Sequence, residues 1–243
     1  MKPLNALLVT IRRMREVLGQ RVAAAWRKEH PTVETARPAE LPSEAVRSRA
    51  FVALVDYDNV SVLRKQRTVR DVESNLSDIA NALVDHCVAT AGHQGELRIR
   101  FYGGWISEAG VNSQRAGWLM ASVNLIRGLH RGWRLLPEVA FSLAEAPTHR
   151  FIGTWRTAQR PRAQKMVDTM MVVDAIHIAD RRESGIIVMS DDDDLVPGLV
   201  SAGRRQRGSL YSLRQRGYGY GLNDHICKAH GVTMAQLPAR FIR

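Results

Sequence analysis

Cysteine is scarce in this chain: Cys87 and Cys227 are the only two among 243 residues. Neither sits in a CxxC pair, so no zinc-finger ligand set or disulfide framework is expected, and the chain suits a reducing interior. Long apolar runs are missing too. No stretch approaches the roughly 18–20 consecutive apolar residues of a membrane-spanning helix. Leu4 to Ile11 is apolar but short. It is broken by Arg12-Arg13 and lacks a small-residue cleavage pattern, so it does not read as a secretory signal. There is no internal repeat, and the one low-complexity tract is a run of four aspartates, Asp191 to Asp194. Together these absences leave a soluble, cytoplasmic protein, long enough for one α/β domain with an extension.

Acid is in deficit. Lysine and arginine number 35 against 24 aspartates and glutamates, a formal net charge of +11. Such an excess favours a polyanionic partner. With no spanning segment in view, nucleic acid is the leading candidate.

Two regions follow in chain order. Residues 1–48 read as a basic amphipathic helix and a Pro-containing linker. Leu4, Leu7, Leu8, Ile11, Met14, Leu18, Val22 and Trp26 recur at helical spacing. That apolar stripe suits packing on a domain surface or on a second copy of the chain, a homo-oligomer through the N-terminal helix. Its arginines suit phosphate or membrane-surface contact. Residues 49–243 read as the folded domain, with short apolar strands at Ala50–Val55, Leu97–Tyr102, Ile186–Met189 and Ser209–Leu213. Helices alternate with them over Thr68–Ala91, Asn112–Leu129, Gln164–Asp180 and Leu195–Arg205, and Asn223–His230 is a closing C-terminal helix. Trp133–Leu143 and Arg150–Trp155 are weaker strand candidates. Alternation of this kind implies an α/β three-layer sandwich around a mainly parallel sheet.

In such a sheet, ligands and chemistry collect beyond the carboxyl ends of the strands. Asp56 and Asn59 stand where the first strand ends, and Asp191 to Asp194 follow the strand Ile186–Met189 directly. A carboxylate there is a natural hard-metal ligand, and an amide three residues on can orient it. An Asx-type turn is the local alternative. The helix QKMVDTMMVVDAIHIAD is apolar around almost its whole circumference yet carries Asp168 and Asp174. Their six-residue spacing gives about 9 Å of rise and about 120° of rotation, too much for one ion to take both directly. A buried salt bridge is the alternative for either one.

VALVDYDNV, KMVDTMMVVDAI and GIIVMSDDDDLVPGL, in that order, resemble the NYN domain, a branch of the PIN-like metal-dependent ribonucleases. The resemblance spans roughly residues 50–215. It implies catalytic acids at Asp56, Asp168, Asp174, Asp192 and Asp194, with Asn59 as the companion amide. Asp56, Asp174 and Asp192 would hold the principal Mg²⁺ or Mn²⁺, and Asp168 and Asp194 would bind a second ion or orient water. That makes Asp194 a further metal residue. Asp191 replaces the usual Gly and Leu195 the usual Phe; a Gly position raises the prospect of strain at positive φ.

The implied reaction is hydrolysis of RNA by metal-activated water. Basic residues outside the acidic hole would hold the substrate: Arg150, Arg156, Arg160, Arg162 and Lys165 on one tract, Arg204 and Arg205 on another, beside Asn59. Two other readings use the same residues. One keeps the fold as a non-catalytic RNA-binding or assembly module. The other is a haloacid-dehalogenase-type phosphatase with Asp56 and Asp58 as nucleophile and acid.

Overall fold

The computed structural model describes residues 49–60, 68–106, 113–145, 166–181, 185–206, 209–215 and 222–237. The N-terminal helix and linker, the strand candidate Arg150–Trp155 and the basic residues Arg150, Arg156, Arg160, Arg162 and Lys165 lie outside the described residues.

Strand β1 (Ala50–Asp56) is buried from Phe51 onward. Its side chains divide between two cores. Phe51, Ala53 and Val55 pack on one side, with residues of helix α1 (Val69–Ala91) and helix α2 (Gln114–Ser122). Val52 and Leu54 pack on the other, with residues of helix α3 (Val167–Arg181) and helix α4 (Val196–Arg205). This is the expected three-layer arrangement. Each fully buried Leu, Ile or Val contributes about 1.5–3 kcal/mol. The sheet interior therefore carries the stability, and its rim can hold costly polar groups.

The other strands are β2 (Gly95–Tyr102), β3 (Gly128–His130), β4 (Trp133–Val139), β5 (Gly185–Met189), β6 (Leu210–Arg214) and β7 (Val232–Gln236). They form one sheet in the order β3-β4-β2-β1-β5-β6-β7, parallel except for the β3–β4 pair. From β1 the chain builds outward through β2 and β4 on one side, then through β5, β6 and β7 on the other. The end of β1 is thus the point where the winding reverses, the place in an open α/β sheet where a crevice forms.

Helix α1 starts at a capping box: the Thr68 hydroxyl accepts the Asp71 N–H while the Asp71 carboxylate accepts the Thr68 N–H. Helix α4 starts beyond a single 3-10 turn (Asp193–Leu195), with a proline in its first turn. A Cβ at Gly198 would lie 2.4 Å from Val172 Cγ2, so the missing side chain lets α4 approach α3 closely.

Two strands differ from expectation. β3 and β7 are short, three and five residues, and their sequences GLH and VTMAQ lack the apolar alternation that marks a strand. The expected closing helix exists as α5 (Leu222–Ala229), but β7 follows it and closes the sheet as a parallel edge strand.

Candidate metal centre

Asp56 is the last residue of β1 and is fully buried. The turn that follows folds Asn59 back onto it. The Asn59 backbone N–H donates to Asp56 Oδ1 at 3.2 Å, and its side-chain amide donates to Asp56 Oδ2 at 2.7 Å. The same amide donates to Asp192 Oδ2 at 3.1 Å, so one asparagine bridges carboxylates from two strand ends. Ser190, at the exit of β5, adds a hydroxyl that donates to Asp56 Oδ2 at 2.7 Å and accepts the Asp192 N–H at 3.1 Å. Asp192 Oδ1 in turn accepts the Asp194 N–H at 2.9 Å.

The third carboxylate comes from α3. Asp168 is the second residue of that helix, where the positive end of the helix dipole favours an anion. One ligand oxygen from each of Asp56, Asp168 and Asp192 can be chosen so that all three lie within 4.8 Å of one another. Asp168 Oδ1 is buried and has no hydrogen-bond partner. Among the described residues no lysine or arginine pairs with any of the three. The electrostatic cost appears in their acidities. Burial, and then the charges of Asp56, Asp192 and Asp194, push Asp168 up to about 6. Burial also raises Asp56, against the opposing hydrogen bonds from Ser190 and Asn59. Converging oxygens, an orphaned one among them and no neutralising cation among the described residues make a donor set that fits a hard divalent ion.

Asp168 and Asp174 are placed in different surroundings. Asp174, expected to hold the principal ion, is fully buried with both oxygens engaged. It accepts the Tyr102 hydroxyl at 2.5 Å and the Ala144 N–H at 2.8 Å, with Arg100 Nε 3.3 Å away. Asp168, expected at the rim, joins the cluster instead. Six residues of helix separate the two, and that spacing does not say which one faces the strand ends. Asp194 is exposed and stays at the rim.

Arg204 and Arg205 are also displaced from their expected place. They lie in the last turn of α4, which starts just after the aspartates and runs ten residues away from them, about 15 Å of helix. There Arg205 pairs with Asp180 at the end of α3, and Arg204 donates to His230. They belong to the opposite end of the sheet from the carboxylates. Asp191 does not take positive φ, a conformation that only Arg131 and Met166 adopt among the described non-glycine residues. Its carboxylate accepts the Gln215 N–H at 2.7 Å, so the strain expected from a Gly position is absent.

Three contributors escaped the sequence reading. Ser190 looked like a mere neighbour of the aspartates. Arg100 and Tyr102 share the strand face directed at α3, a placement that the alternation LRIRFY contained but that did not suggest a partner for Asp174. Asp58 bears on the phosphatase alternative. It accepts the Gly104 N–H at 2.8 Å and is ion-paired with Arg115, so it is not poised as an acid beside Asp56.

The NYN domain family matches residues 51–216. Among solved structures, a protein of unknown function from Vibrio parahaemolyticus aligns with 81% of this chain and 97% of its own, at 14% identity and a TM-score of 0.42. That likeness is too distant to carry an argument about function. No curated protein matches the sequence. The family match covers the first strand end, the helix with Asp168 and the acidic turn together, and the chain belongs to the NYN-domain family.

Proposed function

We propose that the protein is a metal-dependent ribonuclease. One observation carries the reading: three carboxylates from separate segments converge at the winding reversal of the sheet, around a buried oxygen that none of the described residues satisfies. Asp56, Asp168 and Asp192 would hold Mg²⁺ or Mn²⁺. A bound ion of this kind supplies a water of lowered pKa and neutralises charge that develops on a phosphoryl group. Asn59 and Ser190 fix the rotamers of Asp56 and Asp192, so the ligand oxygens meet an ion with little rearrangement. Asp194, exposed beside the cluster, is placed to accept a hydrogen bond from solvent at the rim.

RNA is the substrate class that the family and the positive net charge favour. Lys165 precedes Asp168 by three residues on the chain, and with Arg150, Arg156, Arg160 and Arg162 it supplies cations for the phosphate backbone. Among the described residues no helix is long and apolar enough to cross a membrane.

The test is cleavage of labelled single-stranded and structured RNA with Mg²⁺, Mn²⁺ or EDTA, comparing wild type with Asp192→Asn. Metal-dependent products that EDTA and Asp192→Asn each reduce at least about 100-fold are expected, the scale on which ligand loss removes catalysis of this type. RNA binding without cleavage under every metal would replace the nuclease with a binding module on the same fold.

A further inference from the structure

The four aspartates after β5 do not act as one acidic patch. Asp192 and Asp194 lie on the side of the carboxylate cluster. Asp191 and Asp193 turn to the neighbouring strand: Asp191 Oδ1 accepts the Gln215 N–H at 2.7 Å, and Asp193 Oδ1 accepts from Arg214 Nη1 at 2.6 Å. Just before them, the Ser190 N–H donates to the Leu213 carbonyl at 3.3 Å. Three ties thus run from one short turn to three consecutive residues at the exit of β6. That exit is itself braced, because the Arg214 carbonyl accepts the Leu237 N–H at 2.7 Å.

The Arg214 side chain is only 9% exposed, and its Nε is buried without a partner. An incompletely satisfied buried guanidinium is a costly way to hold a surface loop. It has a use if the loop must resist a force. Such a force exists, since Asp192 is held near Asp56 and Asp168, whose charges repel it. We infer that Asp191, Asp193 and Arg214 form a clamp that holds Asp192 in its ligand position before any metal arrives. They are positioning residues, acting through the backbone of the turn. The inference rests on the reading of Asp56, Asp168 and Asp192 as metal ligands. It does not depend on RNA cleavage.

Charge and position make opposite predictions for one variant. Arg214→Met removes a positive charge near the cluster, so electrostatics alone would tighten cation binding. If the clamp preorganises Asp192, the same change weakens it, by about 10-fold on the scale of residues that orient metal ligands. The experiment titrates metal-free full-length protein with Mn²⁺, reading free Mn²⁺ by electron paramagnetic resonance, with circular dichroism to confirm the fold. Arg214→Met and Asp193→Ala are each expected to weaken Mn²⁺ binding, and the double variant no further than the worse single one. Arg214→Lys, which keeps the charge and is the safer variant to fold, should lose less than Arg214→Met. Unchanged or tighter binding in folded Arg214→Met, or in Arg214→Lys should the first not fold, overturns the clamp. Wild type that binds Mn²⁺ yet leaves RNA intact would defeat the nuclease reading and leave the clamp standing.

Discussion

Asp168 and Asp174 lie six residues apart on helix α3, and their surroundings could hardly differ more. Asp174 lies in a closed network. Arg100 reaches it from β2, pairs with Glu138 and donates to the Ser142 carbonyl at 2.8 Å, while Tyr102 bridges between Arg100 and Asp174. Burial holds the Tyr102 phenol well above its ordinary range, so it remains a donor. Asp168 has no cation partner among the described residues, an unpaired buried oxygen and two carboxylate neighbours. Both sites set charge against the interior, but among the described residues only Asp174 is matched by a cation. A buried acid with its own arginine supports the fold, whereas a half-buried acid with none among the described residues is open to an ion from solution. That contrast separates the ion-paired carboxylate from the clustered one better than sequence position does.

The largest effects should come from removing each acid in turn. Asp174→Ala takes away one of the two carboxylates paired with Arg100 and leaves the buried Tyr102 hydroxyl and the Ala144 N–H without their acceptor, which should cost about 3 kcal/mol in denaturant unfolding. Asp168→Asn should leave the metal-free protein at least as stable as wild type and abolish Mn²⁺ binding. If both variants lost stability alike, the contrast would collapse.

A second effect sharpens the comparison through pH. Asp168 titrates near 6 in the folded protein, above its ordinary value of 3.8. A raised acid binds its proton more tightly when folded. The metal-free protein therefore loses this contribution as pH rises from about 4 to about 6, and the penalty is complete above that. In Asp168→Asn the penalty is absent, so the melting-temperature gap between variant and wild type should widen across that window. Mn²⁺ affinity of wild type should fall as pH drops below about 6, because the ion must then displace a proton. A gap that stays constant with pH would place the titration elsewhere.

The smallest effect concerns the entry to the helix. Met166, two residues before Asp168, is 44% exposed and adopts φ +69°. Met166→Gly relieves that backbone at the expense of a more flexible unfolded chain. The net gain in thermal unfolding should be at most about 1 kcal/mol. A clear loss instead would mean that the methionine side chain supports the helix start.

The residues revealed the fold well where periodicity was strong. The apolar run in β1 and the helical spacing of α1 left little choice, and strands alternating with helices set a parallel sheet. β3 and β7 were illegible because strands of three and five residues with polar members are fixed by their neighbours in the sheet rather than by their own pattern. In the site, Asp56, Asn59 and Asp192 were legible because a strand end is a place that sequence can name. The choice between Asp168 and Asp174 was not, since it depends on how α3 is rotated against the sheet. That rotation is set partly by Arg100 and Tyr102 on β2 and partly by the room that Gly198 leaves for Val172. Arg204 and Arg205 show the same limit: they are near Asp194 along the chain, but a helix carries them away from it.

The placement of β1 also has a consequence in time. Its amide partner Asn59 meets Asp192 across 133 positions of sequence. With chains growing at about 5–20 residues per second, Asp192 is synthesised roughly 7–27 s after Asn59. During that interval the nascent chain can pair β1 with β2, while β5 and the turn beyond it do not yet exist. β1 waits for later strands to give it a second neighbour, and a partly made chain has no assembled carboxylate cluster. A protein read as a cutter of RNA, made on a machine built of RNA, completes its centre only when most of the domain has emerged.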